Sequence, residues 1–301
     1  MIKSFFNTNN IEYLEDISLK KYNTYHIDTT CKYLVFPKDK EELIKILRYI
    51  KENNIKYFIL GNGSNIILSM TYYDGVMIKL DRMNKVEYND NIVTAEAGCP
   101  LIKLSLDTIN KSLSGLTFAA GIPGNVGAST AMNAGAYNSD MASVIKEVTI
   151  LDEHYQIKKL TNQELAFSYR DSYLKQHPEL IVLSTTMVLN DGDKEEMLAQ
   201  VTERKNKRIH LKQIGRWIKN MPSAGSVFRN PEGMYAGELI EKCGLKGYNI
   251  NGAEVSTKHA NFIVNTGSAT GEDIINLINT IKSEVKKQYN VDLKLEQIIV
   301  E

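Results

Sequence analysis

Apolar residues recur at helical spacing in several stretches of the chain. In KEELIKILRYIKENN (40–54), Leu43, Ile44, Leu47 and Ile50 share one helical face. Pro100, at a first-turn position, opens a helix running to about Ser112, with Leu101, Leu104 and Ile109 inward. Thr270-Gly271-Glu272-Asp273 is a capping-box-like start for a long helix to about Gln288, with Ile274, Ile275, Ile278, Ile281 and Val285 as its apolar face. Further helices are predicted from Asp193 to about Arg208, and from Ala236 to Cys243 with Gly244 as the stop. Short apolar or β-branched runs predict strands at Tyr57–Leu60, Ile66–Leu68, Val76–Leu80, Ile92–Glu96, Val148–Leu151, Gln156–Leu160, Leu180–Leu189 and Phe262–Asn265. Val291–Val300 alternates into a final strand. Helices and strands mix without a regular βαβαβ order, so the expected class is a multidomain α+β protein, not a Rossmann sheet.

One stretch has neither period. Residues 112–139, SLSGLTFAAGIPGNVGASTAMNAGAYNS, run for 28 positions without a charged side chain. Glycine permits close backbone approach and lets N–H groups face a ligand, so a ligand cradle is one reading. A tightly packed structural turn region is the other, and composition does not separate them. A membrane span is excluded by Pro123, Asn125, Asn133 and the scattered Ser and Thr. A second glycine loop, Gly61-Asn62-Gly63-Ser64-Asn65, follows a predicted strand. It fails as a dinucleotide fingerprint, because a strand and not a helix comes next. A strand–loop–strand can still bind a diphosphate through backbone N–H groups, or be a plain hairpin turn.

Composition narrows the partners. At 301 residues the chain is long for one core. Lys+Arg and Asp+Glu are both 36, so no net field favours nucleic acid or an acidic membrane. Cys31, Cys99 and Cys243 show no metal-ligand spacing and the histidines form no pair, so no metal site is expected. The N-terminal residues have no apolar signal region, and a reduced, cytoplasmic setting fits the cysteine usage. The segment 204–219, RKNKRIHLKQIGRWIK, carries seven Lys/Arg and no acid, with the sole tryptophan, Trp217, inside it. It is either a solvated helix face or an anion-facing lip.

Taken in order, GNGSN (61–65), AGIPGNVGAS…MNAGAY (120–137), YRDS (169–172), SAGSVFRNP (223–231), KHANFIVN (258–265) and VDLKLEQIIV (291–300) resemble the UDP-N-acetylenolpyruvoylglucosamine reductase (MurB) family, in its shorter type II form. The resemblance runs from about Tyr22 to Glu301. Departures are GNGSN for the usual GGGSN, Tyr25-His26-Ile27-Asp28-Thr29 without the usual two glycines, Gly124-Asn125-Val126-Gly127-Ala128-Ser129 for GxVGGA, and a longer segment before SAGS.

The resemblance implies an FAD-binding region of the vanillyl-alcohol-oxidase type in two parts, 1–80 and 81–203. A C-terminal α+β substrate domain, 204–301, follows, with a last strand able to return toward the FAD region. It implies a flavoprotein oxidoreductase of cell-wall precursor synthesis, using NADPH and FAD to reduce an enolpyruvyl ether on a UDP-sugar. FAD contacts would come from Asn62, Gly63, Ser64, Asn65, Gly121, Ile122, Pro123, Gly124, Asn125, Gly127, Asn133, Ala134 and Gly135. Such chemistry needs a cation or donor where negative charge develops, and an acid for the carbanion. Arg170 is the implied electrophile, its other reading being a salt bridge to an acid such as Asp171. Ser226 is the implied proton donor, and otherwise a turn residue. Glu296 would assist Arg170, and otherwise faces outward from a strand. Arg229, His259 and Asn261 would line the substrate site, the last two otherwise satisfying buried backbone. Rival functions are an alcohol or aldonolactone oxidase of the same fold, or a non-catalytic flavin- or nucleotide-sugar-binding protein.

Overall fold

The structure, a computed structural model, describes residues 2–213 and 221–301, with the side chains of 207–213 left aside. Residues 214–219 of the basic run 204–219, Trp217 included, therefore lie outside the described residues. The chain divides into two compact units.

The first unit comprises Met1–Glu15, Tyr33–Gly61 and Gly75–Asn206. Its centre is a five-stranded antiparallel sheet in the order Ile157–Thr161, Ile145–Leu151, Ile181–Val188, Ile92–Glu96, Val86–Asn89. Alternation sends Val93, Ala95, Val148, Ile150 and Met187 into the core. The antiparallel pairing agrees with the expected α+β class. The helix Lys40–Glu52 starts where Asp39 accepts a hydrogen bond from the Glu42 N–H at 2.8 Å. Its buried face is Leu43, Ile46, Leu47 and Ile50, so Ile46 replaces the expected Ile44 at the i+3 position. The strand Tyr57–Leu60 pairs in parallel with residues 76–79 and delivers the chain to Gly61.

The helix Leu101–Asn110 leads into a 3₁₀ turn, Thr117–Gly121, and a short helix, Val126–Ala131. The Thr130 and Thr185 hydroxyls, both fully buried, meet at 2.8 Å and fasten this short helix to the central strand. Gly127 allows it to lie this close. A Cβ there would stand 2.7 Å from the Cβ of Ala97.

The second unit comprises Asp16–Lys32, Asn62–Asp74 and Lys207–Glu301. Its long helix, Gly271–Tyr289, buries Ile274, Leu277, Ile278, Ile281 and Val285, with Leu277 taking the place expected of Ile275. Beside it are a three-stranded antiparallel sheet (Asn249–Ile250, Ala253–Val255, Ile263–Asn265) and the helix Ala236–Lys242. The final strand is shorter than the alternation from Val291 predicts. Only Ile298–Val300 is regular, pairing in parallel with Ile66–Leu68. Residues 294–296 are extended but bond an irregular partner: the Arg229 N–H donates to the Lys294 carbonyl at 2.9 Å and the Glu296 N–H to the Val227 carbonyl at 2.8 Å. Among the described residues no helix is long and apolar enough to cross a membrane, and no cluster of His, Cys, Asp or Glu could hold a metal ion.

The long helix begins with a complete capping box. The Asp273 N–H donates to Thr270 Oγ1 at 3.2 Å, and Asp273 Oδ2 accepts from the Thr270 N–H at 2.8 Å. Thr270→Ala removes one half of it and is expected to cost about 1 kcal/mol. Thermal denaturation followed by circular dichroism checks this, and an unchanged midpoint would count against the cap.

Candidate active site

In the first unit, the uncharged stretch proves to be closely self-bonded. The Ile122 N–H donates to the Ala119 carbonyl, Gly124 to Ile122, Val126 to Cys99 and Gly127 to Ala97, at 2.9–3.0 Å. Those four N–H groups are taken up inside the unit. Gly121 ends the 3₁₀ turn and Pro123 is exposed. Asn133 is buried and saturated. Its Nδ2 donates to Asp140 Oδ2 (3.0 Å) and the Ser168 carbonyl (2.8 Å), while its Oδ1 accepts from the Ala142 N–H (2.9 Å). Ala134 and Gly135 follow, half-buried.

Arg170 reaches this stretch. Its Nη2 donates to the Gly135 carbonyl at 2.6 Å and its Nη1 to the Asn133 carbonyl at 3.4 Å, with the guanidinium 5.3 Å from the centre of the Tyr169 ring. Next to it, Ser172 Oγ donates to the Ala131 carbonyl at 2.6 Å. The YRDS and MNAGAY segments are thus one bonded structure.

Asn125 behaves differently. It is buried, and its Nδ2 donates to the Gly98 carbonyl at 2.7 Å, which fixes the amide orientation. Its Oδ1 is then left buried with no hydrogen-bond partner among the described residues, 3.7 Å from where a Cβ on Gly61 would lie. An unanswered buried carbonyl oxygen costs about 1–3 kcal/mol. FAD carries hydroxyl and N–H donors beside its diphosphate, so this atom, at the head of the Gly61 loop, suits such a group. The buried Lys79, not anticipated from sequence, donates from Nζ to the Gly61 carbonyl at 2.9 Å and pairs with Asp81 at 3.2 Å.

In the second unit the loop continues through Asn62, exposed, and Gly63, Ser64 and Asn65. Gly63 has φ +62°, and a Cβ there would fall 2.1 Å from the Tyr22 carbonyl oxygen, so only glycine passes. Its own carbonyl accepts from the Thr24 N–H at 3.0 Å. Asn65 ties the loop to the C-terminal segment: its Nδ2 donates to the Glu296 carbonyl at 3.3 Å, and its carbonyl accepts from the Ile298 N–H at 2.9 Å.

Ser226, Arg229, Asn261 and Glu296 come together in this unit. Asn261, nearly fully buried, donates from Nδ2 to the Phe228 carbonyl (2.8 Å) and accepts the Phe228 N–H at Oδ1 (2.9 Å), while its carbonyl accepts the Val227 N–H. Asn261 therefore satisfies buried backbone, as one of its two sequence readings has it. His259 Nδ1 accepts the Asn261 N–H at 3.2 Å, which places the ring proton on Nε2. The acid and the electrophile expected from sequence fall on different units: Ser226 and Glu296 on the second, Arg170 on the first. Gln297, also not anticipated, donates from Nε2 to the carbonyls of Ala224 (3.1 Å) and Gly225 (3.4 Å). Its only signal in the sequence was a polar residue at an inward phase of the final alternation.

Residues 31–160 match an FAD binding domain, and residues 217–300 match the UDP-N-acetylenolpyruvoylglucosamine reductase C-terminal domain. The chain is 41% identical to the UDP-N-acetylenolpyruvoylglucosamine reductase of Caldanaerobacter subterraneus subsp. tengcongensis, covering 94% of this chain and 91% of that one. It is 36% identical to a Clostridium perfringens protein of the same name, covering 100% and 96%. The crystal structure of the Thermus caldophilus reductase (MurB) superposes with a TM-score of 0.77 at 30% identity, over 97% of this chain and 99% of that one. The chain belongs to the UDP-N-acetylenolpyruvoylglucosamine reductase family.

Proposed function

We propose that the protein is an FAD-dependent, NADPH-consuming reductase that converts the enolpyruvyl ether of UDP-N-acetylglucosamine to the lactyl ether, in the cytoplasm, as a step of peptidoglycan precursor synthesis. The observation that carries this reading is identity of 36–41% running the length of the chain, through both the FAD-binding and the C-terminal matches. In the proposed layout 1–80 and 81–203 form the FAD region and 204–301 the substrate domain.

When bound, FAD supplies the redox chemistry, relaying hydride from NADPH to the terminal alkene carbon. The Asn62–Asn65 loop, residues 121–127 and the Asn133–Gly135 segment would hold it, with Asn125 Oδ1 answering one of its donors. Arg170 binds the substrate carboxylate in a two-pronged fashion and stabilises the negative charge that grows there. Its bonds to the Gly135 and Asn133 carbonyls fix its direction. Glu296 aids that polarisation. Ser226 gives its hydroxyl proton to the neighbouring carbon and regains one from solvent, so one hydride and one proton are added. Arg229 neutralises substrate phosphate. His259 donates through Nε2–H. Burial is the main cause that lowers its pKa below the ordinary value, so it stays neutral in this role.

The assay is NADPH oxidation by the FAD-loaded protein. It is expected to depend on the enolpyruvyl sugar nucleotide. Oxidation of an alcohol by oxygen instead would favour the oxidase rival, and a protein that takes up no FAD would sink the reading. Ser226→Ala is expected to leave reduction by NADPH nearly intact and to slow the substrate half-reaction by ~10²–10⁴-fold; equal losses in both would make Ser226 structural.

A pH dependence also follows. A histidine with a lowered folded pKa favours the native state fully above its unfolded pKa of about 6.5. That contribution is lost as pH falls from there through the folded value, because the unfolded chain binds the extra proton. Melting temperatures from pH 7.5 to 5 are expected to fall more steeply for the wild type than for His259→Gln. Parallel curves would show that His259 is not held neutral.

A further inference from the structure

Ser226 sits in a segment with no regular secondary structure, yet the groups around it are bonded one by one. Upstream, the Pro222 carbonyl accepts from the Asn265 N–H at 2.8 Å. The Ala224 and Gly225 carbonyls accept from Gln297 Nε2. Downstream, the Val227 carbonyl accepts from the Glu296 N–H, and its N–H donates to the Asn261 carbonyl. One dipeptide, Glu296-Gln297, therefore holds the chain on both sides of Ser226.

Gln297 is itself held. Its Nε2 is committed to the two carbonyls, so its Oε1 is an acceptor, and the Tyr25 hydroxyl donates to it at 3.0 Å. Tyr25 is fully buried and Gln297 nearly so. The Tyr25 carbonyl in turn accepts from Asn265 Nδ2 at 2.9 Å, and Asn265 is the residue whose N–H holds Pro222. Burial pushes the Tyr25 phenol well above its ordinary pKa, so the hydroxyl remains a donor at every working pH. A buried glutamine has four hydrogen-bonding positions to fill. An apolar side chain of that size would fill the space without that demand. What the glutamine adds is direction: it fixes two carbonyls at the residues just before the proposed acid.

We propose that the buried Tyr25–Gln297 pair is a positioning device for the Ser226 hydroxyl, setting its placement for proton delivery to the substrate carbon. The proposal rests on the reductase reading above. Neither residue touches the substrate; both act through the backbone of 224–227.

The test uses the full-length, FAD-loaded protein and separates the two half-reactions by stopped flow. Gln297→Met keeps the bulk and removes both polar ends. It is expected to leave flavin reduction by NADPH within about twofold of wild type. Reoxidation by the enolpyruvyl sugar nucleotide is expected to slow on the order of tenfold to a hundredfold, as displacement of a reacting group by about 1 Å can do. The solvent deuterium isotope effect on reoxidation should rise, because proton transfer becomes limiting. The double variant Tyr25→Phe/Gln297→Met replaces both partners by apolar groups. It is expected to melt closer to wild type than Gln297→Met while reoxidising as slowly. If both half-reactions fall together, or the double variant recovers the rate along with the stability, the pair is structural and the proposal is overturned. If instead the wild type is not reoxidised by the sugar nucleotide at all, it is the reductase reading that fails.

Discussion

The constraint on which this structure rests is that irregular backbone, once buried, must have its polar groups answered by something other than a ladder. The segments in which the proposed chemistry lies, 121–125, 132–135, 168–172 and 222–229, contain almost no helix or strand. Side-chain amides and one guanidinium do the answering: Asn125 for Gly98, Asn133 for Ser168 and Ala142, Asn261 for Phe228, Gln297 for Ala224 and Gly225, Arg170 for Asn133 and Gly135. Each such group left unmet costs about 1–3 kcal/mol against a net stability of about 5–15 kcal/mol, so a fold could not leave several of them open. The identity of these residues is therefore dictated by backbone geometry before any ligand is considered.

That constraint explains what could be read from the sequence and what could not. Helices such as Lys40–Glu52 and Gly271–Tyr289 were legible because their period and caps are local properties. The errors inside them, Ile44 for Ile46 and Ile275 for Leu277, are choices between adjacent apolar positions on one face, which periodicity alone does not resolve. The final segment fails differently. Its alternation correctly implies extended backbone, but the partners of residues 294–296 are 227–229, and nothing in either stretch announces the other. Gln297 finds its partner Tyr25 at a separation of 272 residues, so no local pattern could have paired them. The glycine-rich stretch was legible as a place of close approach, whereas the internal use of its N–H groups was not.

Arg170 shows how a structure can add a possibility the residues alone did not suggest. The sequence offered a salt bridge to a neighbouring acid or a free electrophile. The observed acceptors include the carbonyls of Asn133 and Gly135. Those two carbonyls orient the guanidinium, and a fork of several N–H groups has donors for more than one partner. The same economy appears at Asn125, where one end of the amide is structural and the other is presented beside Gly61.

Tyr25 and Gln297, the residue after Glu296, together form a buried polar bridge to the Ser226 segment. A serine hydroxyl is a weak acid, with a proton affinity far from the optimum for proton transfer near neutrality. Where acidity is not raised, rate must come from placement, because effective concentration rises steeply as the donor is held in line with the acceptor. Fixing the backbone on both sides of Ser226 through the Glu296-Gln297 dipeptide achieves that placement.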